Sequence, residues 1–254
     1  MDTLRFGQLA VRRSWQADTL RFRTDSGLNA VVHELFSDPN LGRCRLADVE
    51  RGLSEATPGP VKLPGDEFFH EHVHFTFAGN YEVAKILFAA IEPLAAAALV
   101  EAPDPAFRLP PREECARRLG FTFFEEAFYD RFMLEEMIGR PPFTSRLGHD
   151  GIYTQKKAIL EAKYRGLFTE ANLQSAVAES RAALARDPDD LYLRRGLVNH
   201  YLNLKMRDAA IEEMEKMVAA IPSDYFMLSK LAGELMRRGD EENAAELFRQ
   251  ALQL

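Results

Sequence analysis

An α/β segment followed by an all-α array of helical hairpins is the fold class this sequence predicts. Three observations lead there. Short extended pieces flank a helix near the amino end, a long apolar helical stretch covers 83–100, and from about Thr154 onward helical spacing repeats with few glycines. A chain of 254 residues can bury a real core as one large domain or two small ones. The expected organisation is an α/β part over 1–102, a linker and helical connector over 103–153, and helical repeats over 154–254.

Composition excludes several classes. With 46% hydrophobic and 28% charged residues the chain reads as an ordinary soluble globular protein. The net charge is −7 and neither half carries an excess of Lys and Arg, so a nucleic-acid partner is not expected. Cys44 and Cys115 form no CxxC pair, which argues against a disulfide framework or a Cys-rich zinc site. Arg5, Arg12, Arg13 and Asp18 interrupt every apolar run at the amino end, so no signal peptide is read there. Val83–Val100 contains Lys85, Glu92 and Pro93 and is expected as a buried helix rather than a membrane span. No membrane insertion and no cofactor are expected, and a cytoplasmic location is the default.

Each element has a local reason. Residues 1–20, with Trp15 and several Arg, read as a helix. Leu20–Arg23 and Arg45–Val49 read as strand pieces around a helix at Asn29–Phe36, with turns at 38–40 and 57–60. A helix from Gly79 to Val100 follows, started by Thr76 or Gly79. Pro103–Pro111 reads as a linker and 112–140 as one or two helices, stopped by Pro141 and Pro142. Phe121, Phe123, Phe124, Phe128 and Phe132 are expected to form a packing joint between the domains.

The carboxyl part repeats. Pro188 and Pro222 set a period of about 34 residues, and Ala176, Ala210 and Ala244 fall in register with it, as do Leu197 with Leu231 and Ala183 with Ala251. Small residues let paired helices approach, and Tyr201, Met214, Leu235 and Phe248 fill the gaps. This pattern resembles the tetratricopeptide repeat. Residues 191–224 and 225–254 make two units, and 157–190 a degenerate first one whose second helix is Glu170–Arg186. No polar capping helix follows Leu254, so the array is expected either to be cut short or to cap against a partner.

In arrays of that kind the first helix of each hairpin lines the concave face. Here these helices offer Tyr192, Arg195, Asn199 and Leu202, then Phe226, Ser229, Gly233 and Met236. Arg195 and Asn199 lie one helical turn apart, a spacing at which both can hold a carboxylate. They resemble half of the two-residue clamp some tetratricopeptide domains use for a peptide C-terminus, with Lys230 where that clamp would have Asn. The alternative is that all of these are solvated surface residues.

Residues 64–84 concentrate the remaining chemistry. His70, His72 and His74 alternate, which on an extended segment places all three on one side. One reading is a metal site; the His-x-His pattern resembles the amidohydrolase barrels, but only His149 and His200 follow as further imidazoles. A second reading is hydrolytic. Glu71 stands three residues before His74, and a Gly-led helix follows, which resembles the last block of SGNH (GDSL-type) hydrolases, Asp-x-x-His. That resemblance makes Glu71 the orienter and His74 the general base. Glu for Asp adds a methylene, a displacement of about 1.5 Å unless compensated. A third reading is structural, with the histidines satisfying local hydrogen bonds in the turn that seats the following helix.

The resemblance extends further. Phe22-Arg23 through Leu28-Asn29, Arg45-Leu46-Ala47-Asp48, Pro64-Gly65-Asp66-Glu67-Phe68-Phe69 with the His block, Cys115-Ala116-Arg117-Arg118-Leu119-Gly120 and Pro141-Pro142-Phe143-Thr144 are similar to bacterial proteins that join an SGNH-like domain to tetratricopeptide repeats. It implies a partial parallel α/β half, the end of such a domain, ahead of the repeats. An SGNH enzyme needs a strand ending in Gly-Asp-Ser and later Gly and Asn donors. Thr24-Asp25-Ser26-Gly27-Leu28 imitates that motif, but the interval from Ser26 to His74 is far below the ~100 residues that strands and crossover helices demand. The expected function is therefore protein or peptide binding through the repeats, attached to a hydrolase-like part without its nucleophile. An ester or acyl hydrolase using His74 and Glu71, and a His-rich metal-dependent hydrolase, are the alternatives.

Overall fold

The computed structural model describes residues 26–38, 40, 44–71, 73–98, 104 and 107–254. The chain divides into two compact units, Met1–Leu109 and Pro110–Leu254. That boundary falls inside the expected linker.

In the first unit the described elements are three helices, α1 (Ser26–Leu35), α2 (Val49–Ala56) and α3 (Phe77–Ala98). Asp48 starts α2 by accepting the Arg51 amide at 2.9 Å. The α2–α3 crossing is close: a Cβ at Gly52 would lie 2.4 Å from Ile86 Cδ1. Thr76 starts α3. Its hydroxyl donates to the Glu67 carbonyl at 3.0 Å and accepts the Gly79 amide at 3.1 Å. Gly79 must be glycine, because a Cβ there would sit 2.2 Å from the Phe68 carbonyl oxygen. On α1 the polar side meets the start of α2, through Asn29 with Glu50 and His33 with Asp48, while Leu28, Val31, Val32 and Leu35 are exposed.

The expectation of a parallel α/β half is overturned. Among the described residues there is no strand or sheet; the one extended pairing is an isolated antiparallel bridge, Phe69 with Phe75. Arg45–Asp48 is irregular and leads directly into α2, so this expected strand is the approach to a helix. The other expected strand, Leu20–Arg23, and the helix over 1–20 lie outside the described residues. The physical reason for the correction is local. Asp48 is a better helix cap than strand residue, and Glu50, Arg51 and Glu55 give the following segment a solvated helical face around the buried Leu53. Among the described residues no helix is long and apolar enough to cross a membrane.

The second unit is helical throughout its described elements. It begins with α4 (Arg112–Arg118) and α5 (Phe123–Phe132), which runs into a π-turn at Met133–Ile138. A 3₁₀ turn (Phe143–Ser145) leads to α6 (His149–Tyr164) and α7 (Glu170–Leu184). Two hairpins follow, α8 (Leu191–Asn203) with α9 (Arg207–Ala220), and α10 (Tyr225–Arg238) with α11 (Glu241–Ala251). The repeated Pro188 and Pro222 each precede by two residues an aspartate that caps the next helix. Asp190 accepts the Tyr192 amide at 2.8 Å, and Asp224 the Met227 amide at 3.0 Å. Equivalent turns at Lys205 (φ 59°) and Gly239 (φ 91°) are left-handed. Ala176, Ala210 and Ala244 are buried, and Ala210 and Ala244 share one core with Leu197, Tyr201, Met214, Leu231 and Leu235.

The first hairpin differs from its expected form. α6 buries none of its residues and packs on α5, where Asp130 accepts from Lys163 Nζ at 2.9 Å and from the Tyr164 hydroxyl at 2.5 Å. Although burial disfavours its charge, the Tyr164, Asp130 and Glu126 contacts hold the Lys163 ammonium above the ordinary lysine range. α5 takes the place beside α7 and α8. A Cβ at Gly120, just before α5, would lie 2.5 Å from Leu193, and the Phe124 ring stands edge-on to His200 at 4.8 Å. Of the aromatic cluster, Phe124 is buried within this second unit, whereas Phe128 and Phe132 are exposed.

Candidate functional site: the α8–α10 seam

The sequence-derived residues of the repeat face converge. Arg195 on α8 lies over the Phe226 ring of α10, guanidinium carbon to centroid 5.3 Å. Lys230, one turn beyond Phe226, donates from Nζ to Asn199 Oδ1 at 2.9 Å. Tyr192, one turn before Arg195, is 83% exposed at the open end. The Asn199 oxygen thus holds Lys230, and Arg195 and Lys230 are the two cations of the seam.

Several cations of the array have acids: Arg194 and Lys216 both meet Glu213, and Arg207 and Arg237 both meet Glu234. Among the described residues no carboxylate lies within ion-pair distance of Arg195 or Lys230. Burial and the neighbouring Arg195 charge push the Lys230 ammonium below the ordinary lysine range, with the Glu234 carboxylate opposing. The seam thus sets two cations without an acid partner beside the Phe226 ring. A separate cleft of about 370 Å³ between α7, α8 and α9 is lined by Arg181, Leu184, Arg194, Tyr201, Glu213 and Lys216, but the Arg194, Lys216 and Arg181 groups there are already engaged.

The histidine segment is a tight turn, not an extended strand. The His70 amide donates to the His74 carbonyl at 2.9 Å, and the Phe69 and Phe75 rings meet across it at 4.8 Å, tilted by 35°. Alternation therefore does not place His70 and His74 along one side of a strand, because they pair with each other across a reversal of the chain; His72 lies outside the described residues. The Glu71 side chain is 4% exposed and accepts the Val73 amide at 2.9 Å and the His74 amide at 3.0 Å, and it also meets His74 Nδ1. The half-exposed His74 ring has its Nδ1 side held by Glu71. No hydroxyl among the described residues bonds that ring. Ser26, whose surroundings imitate the nucleophile motif but which lies too near His74 in sequence to serve, is the first residue of α1. Among the described residues no group of three or more His, Cys, Asp or Glu is arranged to hold a metal. His149 Nε2 bonds the Ile138 carbonyl at 2.8 Å, which ties the π-turn to the start of α6.

Sequence reasoning missed one constellation. Ser180 Oγ lies 3.3 Å from His200 Nδ1, and His200 Nε2 lies 2.9 Å from Glu125 Oε1. His200 is 0% exposed, so this Ser–His–Glu set is sealed from any substrate and joins α7, α8 and α5 instead. Burial raises the cost of the Glu125 charge, but His200 and the Thr122 cap outweigh it and hold the carboxyl below the ordinary glutamate range. The signal was present as a capping box, Thr122 with Glu125, opening α5.

No protein-family model matches this chain, and no curated protein matches it.

Proposed function

We propose that the helical unit is a tetratricopeptide-type interaction module that binds a peptide segment of a protein partner across α8 and α10. Tyr192, Arg195, Asn199, Phe226 and Lys230 form the contact surface. The observation that carries this reading is the uncompensated Arg195–Lys230 pair set against Phe226. A peptide supplies the anion and the apolar stem together, and its backbone is accommodated beside the exposed Tyr192.

The test is selection of peptides from a random displayed library on the full chain. Enriched peptides should bind the wild-type protein, and the double variant Arg195→Glu, Lys230→Glu should lose about a hundredfold in affinity. Lys216→Ala, outside the seam, should bind as the wild type does. Peptides that bind the double variant equally well would remove this reading.

A further inference from the structure

Resting on that reading, we infer that the group the seam anchors is a dianionic tetrahedral one, a phosphorylated side chain of the partner peptide, rather than a carboxylate. Three donors converge there. Arg195 keeps its guanidinium N–H groups uncommitted to any acid, since its contact is with the Phe226 ring. Lys230 spends one N–H on Asn199 Oδ1 and retains two. That bond also fixes the Asn199 amide, whose Nδ2 has no acceptor among the described residues. A planar carboxylate offers two oxygens, whereas a phosphate monoester offers three and about −1.5 to −2 of charge.

The charge balance points the same way. Glu234 is buried on α10 one turn beyond Lys230, and Arg207 and Arg237 already neutralise it. Arg207 and Arg237 thus account for that carboxylate, while Arg195 and Lys230 have none within ion-pair distance. A monoanion would leave the seam with excess positive charge. A dianion matches the Arg195–Lys230 pair, and the Phe226 ring under the guanidinium holds it flat for contact.

The experiment is a nuclear magnetic resonance titration of the full chain with N-acetyl-O-phosphoserine amide, against N-acetylglutamate amide and N-acetylalanine as side-chain and terminal carboxylates. The phosphoserine probe should move the Arg195 Nε, Asn199 Nδ2 and Lys230 signals and bind at least about tenfold tighter than either carboxylate. Its binding should weaken as pH falls through about 6, where the phosphate becomes a monoanion while lysine only gains charge. Lys230→Gln should abolish the preference. Equal or tighter carboxylate binding at the same signals overturns the phosphate assignment and leaves the peptide groove standing. Shifts elsewhere overturn the assignment, and failure of all three probes to move the seam removes both proposals.

Discussion

His200 shows what a single buried residue decides. It is enclosed by Phe124, Ser180 and Glu125, each from a helix other than its own. His200→Ala would leave the mostly buried Glu125 carboxylate without its imidazole and open a cavity at a fully buried position, and should cost about 3 kcal/mol of stability. The expected readout is a lower urea midpoint for the helical unit. The pH dependence follows from the depressed Glu125 carboxyl. Its contribution is present above the ordinary glutamate range and is lost as pH falls through the depressed folded value. The variant should therefore show a shallower loss of stability on acidification, and an unchanged acid limb would disprove this role for Glu125. Glu71 and His74 make a comparable local pair, but in a turn whose outer face is half open.

At the level of elements, the hairpin turns carry a difference that the repeat makes easy to compare. Gly239 adopts its left-handed φ at no steric cost, whereas Lys205 at the equivalent turn carries a Cβ in the same region. Lys205→Gly should stabilise the α8–α9 hairpin by about 1 kcal/mol, and Gly239→Ala should destabilise α10–α11 by a similar amount. Thermal unfolding of the two variants measures both signs. The helix boundaries were largely legible because Asp190, Asp224, Thr169 and Thr122 are capping residues placed directly before helical spacing. The partner of α7 was not legible. α5 and α6 both have the length and composition to pair with it, and only the Gly120 approach and the Phe124–His200 contact select α5.

For the whole molecule the governing quantity is charge distribution rather than total charge. The proposed anion site sets the Arg195–Lys230 pair, which has no acid partner, within a chain of net −7 that repels anions at long range. Peptide affinity should fall as ionic strength rises from about 0.05 to 0.5 M, over which the screening length shrinks from beyond about 10 Å to near contact distance. The slope should flatten in Arg195→Gln, Lys230→Gln. Isothermal titration at several salt concentrations checks it, and equal slopes in both proteins would place the binding elsewhere. The two units answer to different sequence signals. The second was readable from its period, whereas in the first the short pieces around Arg45 and His70 carried no periodicity long enough to separate strand from turn.

What the sequence by itself determined was the carboxyl array: its period and its buried alanines. These follow from local spacing, which a helix converts directly into a face. Tertiary structure alone decided that Asn199 serves Lys230, that α5 closes the array over His200, and that the histidine segment folds back on itself. Each of those depends on contacts between residues distant along the chain or on a reversal of its direction, and no spacing rule encodes which of several suitable neighbours a side chain will meet.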